Sequence, residues 1–210
     1  MTSEMEYKEV KKVNPFFSIW LSPKETVRYV LDHKELKYSL ILSIIGGFAG
    51  IPSAISSIYS FNLDISFWWI LLAAVVLAPI FALIGLGIGT VIYTWVGKWF
   101  GGVGVYKEVA QAIGIIMIPS IWLTPYWILT AVMTYNMTTT FTLGAIVWSL
   151  LSSLFMIFFG IWMIVIQSKI FGEVHQFSSW RGFATLIIPS LIIGIIVFIF
   201  TFIFISSIIV

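Results

Sequence analysis

Five long apolar runs constrain this chain more than any other feature of its sequence. They cover residues 38–59, 67–96, 109–134, 144–168 and 182–210. None of them contains Asp, Glu, Lys, Arg or His, and each reaches the roughly twenty residues that a helix needs to cross a bilayer. Because the hydrocarbon core holds no water, the backbone of such a run must bond to itself, which favours a helix. The sequence therefore predicts an all-α integral membrane protein with five transmembrane helices.

Composition narrows the function as well as the fold. Apolar residues make up 60% of the 210 residues and charged residues 10%, which excludes a soluble globular domain. The net charge of +2 is too small to indicate a nucleic-acid partner, and a chain without cysteine has no disulfide framework. Coupled carriers and intramembrane proteases bury ionisable groups, and these apolar runs have none. We therefore expect no enzymatic activity, no catalytic residue, no cofactor and no metal.

The basic residues predict how the chain is oriented. Five crossings place all eleven of them on one side: Lys8, Lys11, Lys12, Lys24, Arg28, Lys34, Lys37, Lys98, Lys107, Lys169 and Arg181. The opposite side holds Asp64 and no basic residue. Because cytoplasmic loops are enriched in Lys and Arg, the N-terminus is expected to be cytoplasmic and the C-terminus external. The expected location is a cell membrane, with the chain passing several times through the lipid bilayer.

The chain divides into a cytoplasmic N-terminal segment, residues 1–37, and a transmembrane domain, residues 38–210. The first residues carry charges of both signs and lack the pattern of a signal peptide. Ser22 and Pro23 predict the start of a short helix, with Glu25 placed to bond back to the cap. We expect this helix to lie at the membrane surface with Val27 and Val30 towards the headgroups. Docking of a cytoplasmic partner is the alternative.

A weak internal repeat joins the two halves of the transmembrane domain. A shift of 71 residues aligns the K-x-F-G motif at 98–101 with the one at 169–172, and a shift of 70 aligns Ile-Pro-Ser at 118–120 with 188–190. The second and third spans would then be a hairpin that the fourth and fifth spans repeat in parallel. A chance match in apolar sequence is the alternative.

The loops on the charged side are the candidate recognition surface. Its residues are Lys98, Gly101, Gly102, Gly104, Lys107, Glu108, Lys169, Glu173 and Arg181. The glycines indicate a tight turn, and Gly97-Lys98 lacks the upstream glycine and the following Ser or Thr of a phosphate-binding loop. Glu173 and His175 are too few for a metal site, so we expect His175 in a solvated loop.

Small residues and prolines within the spans indicate helix packing. Gly46 and Gly50 form one small-xxx-small pair, and Gly85 and Gly89 form another. Two prolines, Pro119 and Pro189, interrupt backbone hydrogen bonding at matching places of the supposed repeat. These features favour close packing with kinks, although kinked helices also line substrate pathways.

Several segments together resemble a known family. NPFFSIWLSPKETVRYVL precedes the first span, GTVIYTWVGKWFGGVGVYKEVAQAIGIIMIPSIW joins the second to the third, and a charged loop precedes the last. In this order they resemble the short prokaryotic form of the Yip family, the Ypt/Rab-interacting membrane proteins, over residues 14–205. The resemblance implies five spans, a cytoplasmic N-terminus and no enzymatic activity. Eukaryotic members are associated with Rab GTPases. This chain lacks their long Pro/Gly-rich N-terminal region and DLYGP-like segment, so Rab binding is not carried over, and its short N-terminus resembles the bacterial form.

Three functions fit these features. The first is an accessory or scaffold protein that binds another integral membrane protein, such as a multi-component export system, with a homo-oligomer left open. The second is a transporter or channel for a small neutral or apolar molecule, with a pathway around Pro119 and Pro189. The third is membrane shaping by the surface helix.

Overall fold

The computed structural model describes residues 13–60, 65–137 and 142–209, and its regular structure there is helical throughout. The helices in chain order are α1 (Pro15–Ser18), α2 (Pro23–His33), α3 (Leu36–Ala49), α4 (Ile51–Ser60), α5 (Phe67–Trp99), α6 (Tyr106–Trp122), α7 (Thr124–Met137), α8 (Leu143–Val174) and α9 (Ser179–Ile209). The all-α prediction is confirmed. Asp64 lies outside the described residues.

Four or five stretches of the described chain are long and apolar enough to cross a membrane. Four of them have no sharp bend: Leu36–Ile58, in which α4 continues α3, Phe67–Trp99, Leu143–Val174 and Ser179–Ser206. A fifth requires α6 and α7 to count as one span, although they are bent by 47° at Leu123. Pro125 is the second residue of α7, where a missing N–H costs no helical bond, so it suits the helix start that follows the break.

The helices pack as two groups that share a core. Helix α6 contacts α3 and α5, while α8 and α9 form a hairpin; α5 touches α9 and α6 touches α8. Large buried side chains between them include Ile115, Ile118, Ile166 and Ile170. Away from this core, α5, α8 and α9 expose long rows of Leu, Ile, Val and Phe. Such rows suit hydrocarbon and would not suit water.

Helix α2 begins where the sequence predicts, but its apolar face points elsewhere. Val27 and Val30 are fully buried and belong to the core cluster, because α2 packs against α8 and α6. The expectation that they face lipid headgroups is therefore wrong. An apolar stripe in the sequence indicates that one face of a helix is buried. It does not indicate whether lipid or protein buries that face. The Ser22 side chain forms no cap hydrogen bond, so the predicted capping box does not form either.

The predicted packing glycines differ widely in their surroundings. A Cβ atom on Gly46 would lie 2.8 Å from Cβ of Met117, and one on Gly89 would lie 3.4 Å from Cδ1 of Ile113. Gly50 meets only carbonyls of its own helix region, and Gly85 has nothing within 4 Å.

One close helix crossing involves a glycine outside the predicted pairs. A Cβ on Gly114 would overlap Ser39, where α3 crosses α6. Ala110 and Gly114 have the same small-xxx-small spacing, so a signal for this crossing was present. Pro119 and Pro189 are buried and lie inside α6 and α9.

Candidate interaction surface

The charged segments meet at one end of the bundle. All Asp, Glu, Lys and Arg residues of the described part lie in 24–37, 98–108 and 169–181. Contacts join these three segments: Nε of Arg28 donates to Oε1 of Glu173 at 2.8 Å, and the Val103 N–H donates to the His175 carbonyl at 3.3 Å. Nε2 of Gln111, in α6, donates to the Lys34 carbonyl at 2.7 Å. We call this surface the charged end.

The first turn of the charged end follows α5. Gly101 has a φ of +78°, in the left-handed region where glycine carries no Cβ penalty. The Gly102 N–H donates to the Gly97 carbonyl at 3.0 Å, and the Gly101 N–H donates to the Lys98 carbonyl at 3.0 Å. This pair of bonds is a Schellman motif, which satisfies carbonyls that the helix end leaves free.

The second turn has the same backbone pattern with different residues. It follows α8, and the left-handed position is Gln176, with a φ of 56°. The Phe177 N–H donates to the Gly172 carbonyl at 2.9 Å, and the Gln176 N–H donates to the Glu173 carbonyl at 3.2 Å. His175 thus takes the place of Phe100, 75 positions earlier, so the shift of 71 does not superpose the turns. The second K-x-F-G motif lies inside α8 and ends two residues before the helix does.

His175 lies buried between the two turns. Its side chain is 1% exposed, and Cβ atoms on Gly102 and Gly104 would lie 2.6 and 2.9 Å from its Nδ1. A Cβ on Gly97 would overlap the ring, whose other neighbour is Phe177, stacked at 5.3 Å between centroids. The expectation that His175 lies in a solvated loop is wrong. The three glycines leave the space that the imidazole fills.

Burial also changes the chemistry of this histidine. No described residue meets full hydrogen-bond geometry at either ring nitrogen, although the Tyr93 backbone is near enough to favour the protonated ring. Removal from water lowers the pKa of His175; the Tyr93 carbonyl and Glu108 oppose this shift, and Lys98 adds to it. The space between the two turns therefore favours the neutral form of the imidazole.

The segment between Gly101 and α6 is fixed, yet it exposes apolar side chains. Oε2 of Glu108 accepts a hydrogen bond from the Val105 N–H at 3.1 Å, the half of a capping box that a valine cap permits. Val103 is 59% exposed and Val105 54%, and Tyr106 beside them is also exposed. Nζ of Lys98 lies 5.5 Å from the centre of the Tyr106 ring. We call Val103, Val105 and Tyr106 the loop patch.

Comparison with known proteins agrees with this architecture. The family model of the Yip1 domain matches residues 17–201, nearly the whole chain. The chain belongs to the Yip1 family. No curated protein and no solved structure matches it. The resemblance seen in the sequence is confirmed, and a membrane protein of the Yip1 family is consistent with an accessory role.

All nine predicted recognition residues of this Yip1 domain lie in the segments that form the charged end, but they differ in exposure. Lys98, Gly101, Lys107 and Arg181 are exposed, whereas Gly104 is buried. The half-buried ones are Gly102, Glu108, Lys169 and Glu173. Three of the predicted residues form contacts within the protein. Glu173 pairs with Arg28, and Glu108 caps α6. Nη1 of Arg181 donates to the Phe100 carbonyl at 3.4 Å.

Sequence reasoning missed the loop patch, Gly97 and the role of His175. The signal for the patch was the placement of Val103 and Val105 outside every apolar run. No local signal places Gly97 against His175, because 78 positions separate them and only the packing of α5 against the α8–α9 hairpin brings them together.

Two further features bear on the other functions considered for a Yip1 protein. An apolar groove of about 800 Å³ runs between α3, α4 and α5, with Gly46, Gly85, Leu86 and Met117 in its lining. Its lining includes neither Pro119 nor Pro189, where the transporter hypothesis puts a pathway. Within the described ranges, no group of three or more His, Asp or Glu side chains is placed to hold a metal ion.

Proposed function

We propose that this Yip1-family chain is a non-enzymatic accessory protein that binds another integral membrane protein through the charged end. A subunit of a multi-component export system is the kind of partner that fits. The carrying observation is the loop patch, in which Val103 and Val105 are more than half exposed on a backbone tied down at both sides. A cluster of exposed apolar side chains among charged groups is typical of a surface that contacts a protein or a membrane.

The fixed backbone matters for affinity. Ordering a loop on binding costs free energy, and a loop that is already ordered avoids this cost. Here the Val103 N–H is bonded to the second turn and the Val105 N–H to Glu108, so the patch keeps its shape before a partner arrives. Lys107 is exposed beside the patch and supplies charge that steers an acidic partner.

We further propose that the chain crosses a cell membrane five times, with α6 and α7 together forming the bent third span. The N-terminus is then cytoplasmic and the C-terminus external. In support, every Lys and Arg of the described part belongs to segments that meet at one end of the bundle. The chain has no cysteine, so Lys107→Cys and Leu143→Cys each introduce one reactive thiol. A membrane-impermeant maleimide should label intact cells only at position 143, and the reverse would overturn this orientation.

Site-specific crosslinking in native membranes tests the accessory role. A photo-reactive amino acid replaces Val105, and a matched control replaces Leu150, which is similarly exposed on the lipid-facing side of α8. A C-terminal tag then recovers the adducts for mass spectrometry. We expect one integral membrane protein to be captured at position 105 and not at 150, and Lys107→Glu to reduce this capture.

The other outcomes are also informative. An adduct of the chain with itself at position 105 would identify the patch as a homo-oligomer interface and contradict the accessory role. Equal capture of the same proteins at positions 105 and 150 would show that the patch has no specific partner, which also contradicts it.

A further inference from the structure

A second groove lies beside the second turn, on the outer face of the α8–α9 hairpin. Its volume is about 430 Å³. Its lining comprises Ile161, Ile164, Val165, Ser168, Lys169, Ser179, Trp180 and Phe183. We propose that this groove binds an anionic phospholipid, with an acyl chain along the apolar part and the phosphate at Lys169.

The groove surface is almost entirely carbon, and the residues that carry a charge or a hydroxyl lie at one end of it. On α8, Ile161 lies eight residues before Lys169, about 12 Å deeper along the helix. On α9, Phe183 lies one turn beyond Ser179. The charged and hydroxyl groups are thus together at the charged end, while the aliphatic and aromatic groups extend towards the middle of the helices. An acyl chain with its phosphate uppermost matches this order.

Lys169 is the group that selects a negative charge. Its side chain is half-buried and forms no ion pair or hydrogen bond with any residue that the structure describes. The nearest acidic residue along the helix is Glu173, which is already paired with Arg28. A lysine without a partner at the rim of an apolar groove attracts an anion, and a lipid phosphate at this level supplies one. Basic pockets between membrane helices on the cytoplasmic side bind anionic headgroups in the same way.

Two neighbouring features suit the same occupant. Trp180 is 79% exposed and packs edge-on against Phe183, as expected for an indole at headgroup level. The Ser179 hydroxyl has no hydrogen-bond partner among the described residues and is free to donate to a phosphate oxygen. A soluble phosphate would use only this upper part, whereas a phospholipid fills the whole groove.

Native mass spectrometry of the full-length chain in detergent tests this assignment. The chain is offered equal amounts of phosphatidylglycerol and phosphatidylcholine, which share their acyl chains and differ in net charge. We expect preferential retention of phosphatidylglycerol. Loss of one lysine contact weakens binding about fivefold, so Lys169→Gln should remove most of the preference. Lys107→Gln is the matched control, since it removes the same charge at the same end outside the groove.

A second variant tests the acyl part. Val165→Trp fills the groove from a lipid-facing position and should reduce retention of both lipids while the thermal midpoint stays unchanged. Equal retention of the two lipids by the unsubstituted chain, or an unchanged preference in Lys169→Gln, would overturn the proposal. Displacement of phosphatidylglycerol by millimolar inorganic phosphate would assign the site to a free anion instead.

Discussion

The two turns of the charged end have the same backbone pattern, but different interactions stabilise them. At the first turn the left-handed residue is Gly101, and Glu108 caps the helix that follows. At the second turn the left-handed residue is Gln176, which favours this conformation far less. The first turn is therefore specified by its own residues. The second needs support from elsewhere in the fold.

That support comes from three directions. His175 fills the space between the glycines of the first turn, Arg28 of α2 pairs with Glu173, and Gly182 lets α9 approach the end of α8. The comparison teaches that a repeated sequence motif does not locate a turn when one copy is held by tertiary contacts. Variants that remove these supports one at a time should affect the two turns differently.

The largest effect is expected at Gly182. A Cβ there would overlap the Ser168 carbonyl and lie 2.8 Å from the Gly172 amide, and backbone atoms cannot rotate away as a side chain can. Gly182→Ala should destabilise the protein towards the upper end of about 1–3 kcal/mol. Gly160→Ala is the control, because Gly160 has nothing within 4 Å. The measurement is the thermal midpoint of each purified variant in detergent, and equal midpoints would contradict the close approach.

An exchange of the two left-handed residues should give effects of opposite sign. Gly101→Gln places a side chain at a φ of +78° and should cost about 1–2 kcal/mol. Gln176→Gly relieves the same penalty at a φ of 56° and should raise the thermal midpoint by a smaller amount, because glycine also adds freedom to the unfolded chain. If both variants lower the midpoint, Gln176 carries no conformational penalty that tertiary contacts must offset.

The same difference explains how far sequence reasoning reached. The apolar runs located the long helices α5, α8 and α9 to within a few residues at most ends, because their signal is simple and local. The start of α2 followed from the Ser22-Pro23 pattern, and the turn at Gly101 followed from the glycines after α5. The end of α8 did not, because it depends on residues far apart in the chain.

The sequence predicts the burial of polar side chains less well than it predicts the long helices. His175 and Gln111 look like loop or helix-end residues in the sequence, yet both are almost fully buried. Gln111 is buried because the Lys34 carbonyl accepts its amide hydrogen, and His175 because glycines at the end of α5 and in the turn after it leave a space for the ring. Neither partner lies within 70 positions of the group that it accommodates, so no local pattern reveals them.

A smaller, pH-dependent effect is expected from His175. Its pKa lies below the ordinary value of 6.5 because the ring is buried, so the unfolded chain binds a proton more readily than the folded one. The stability that this shift contributes is complete above about pH 6.5 and is lost as the pH falls from there towards the lowered pKa. The thermal midpoint should therefore decrease on acidification, and this decrease should shrink in His175→Phe.

The matched control for that titration is the other histidine. His33 is exposed on α2, so His33→Gln removes an imidazole without touching the packing between the two turns. A midpoint profile that changes with His33 and not with His175 would show that burial between the turns is not what couples stability to pH.

The smallest effect is expected from the ion pair that joins α2 to the second turn. Arg28 is 61% exposed and Glu173 18%, and Arg28 has a raised pKa because it donates to the Glu173 carboxylate. A pair with one well-exposed partner contributes about 0.2–1 kcal/mol, and salt weakens it. Arg28→Gln and Glu173→Gln should each lower the free energy of unfolding slightly, seen as a small drop in the thermal midpoint. The double variant should lose no more free energy than the larger single loss plus a few tenths of a kcal/mol. Additive losses would mean that the pair is not coupled, and α2 would then support the second turn only through Val27 and Val30, whose burial is independent of charge.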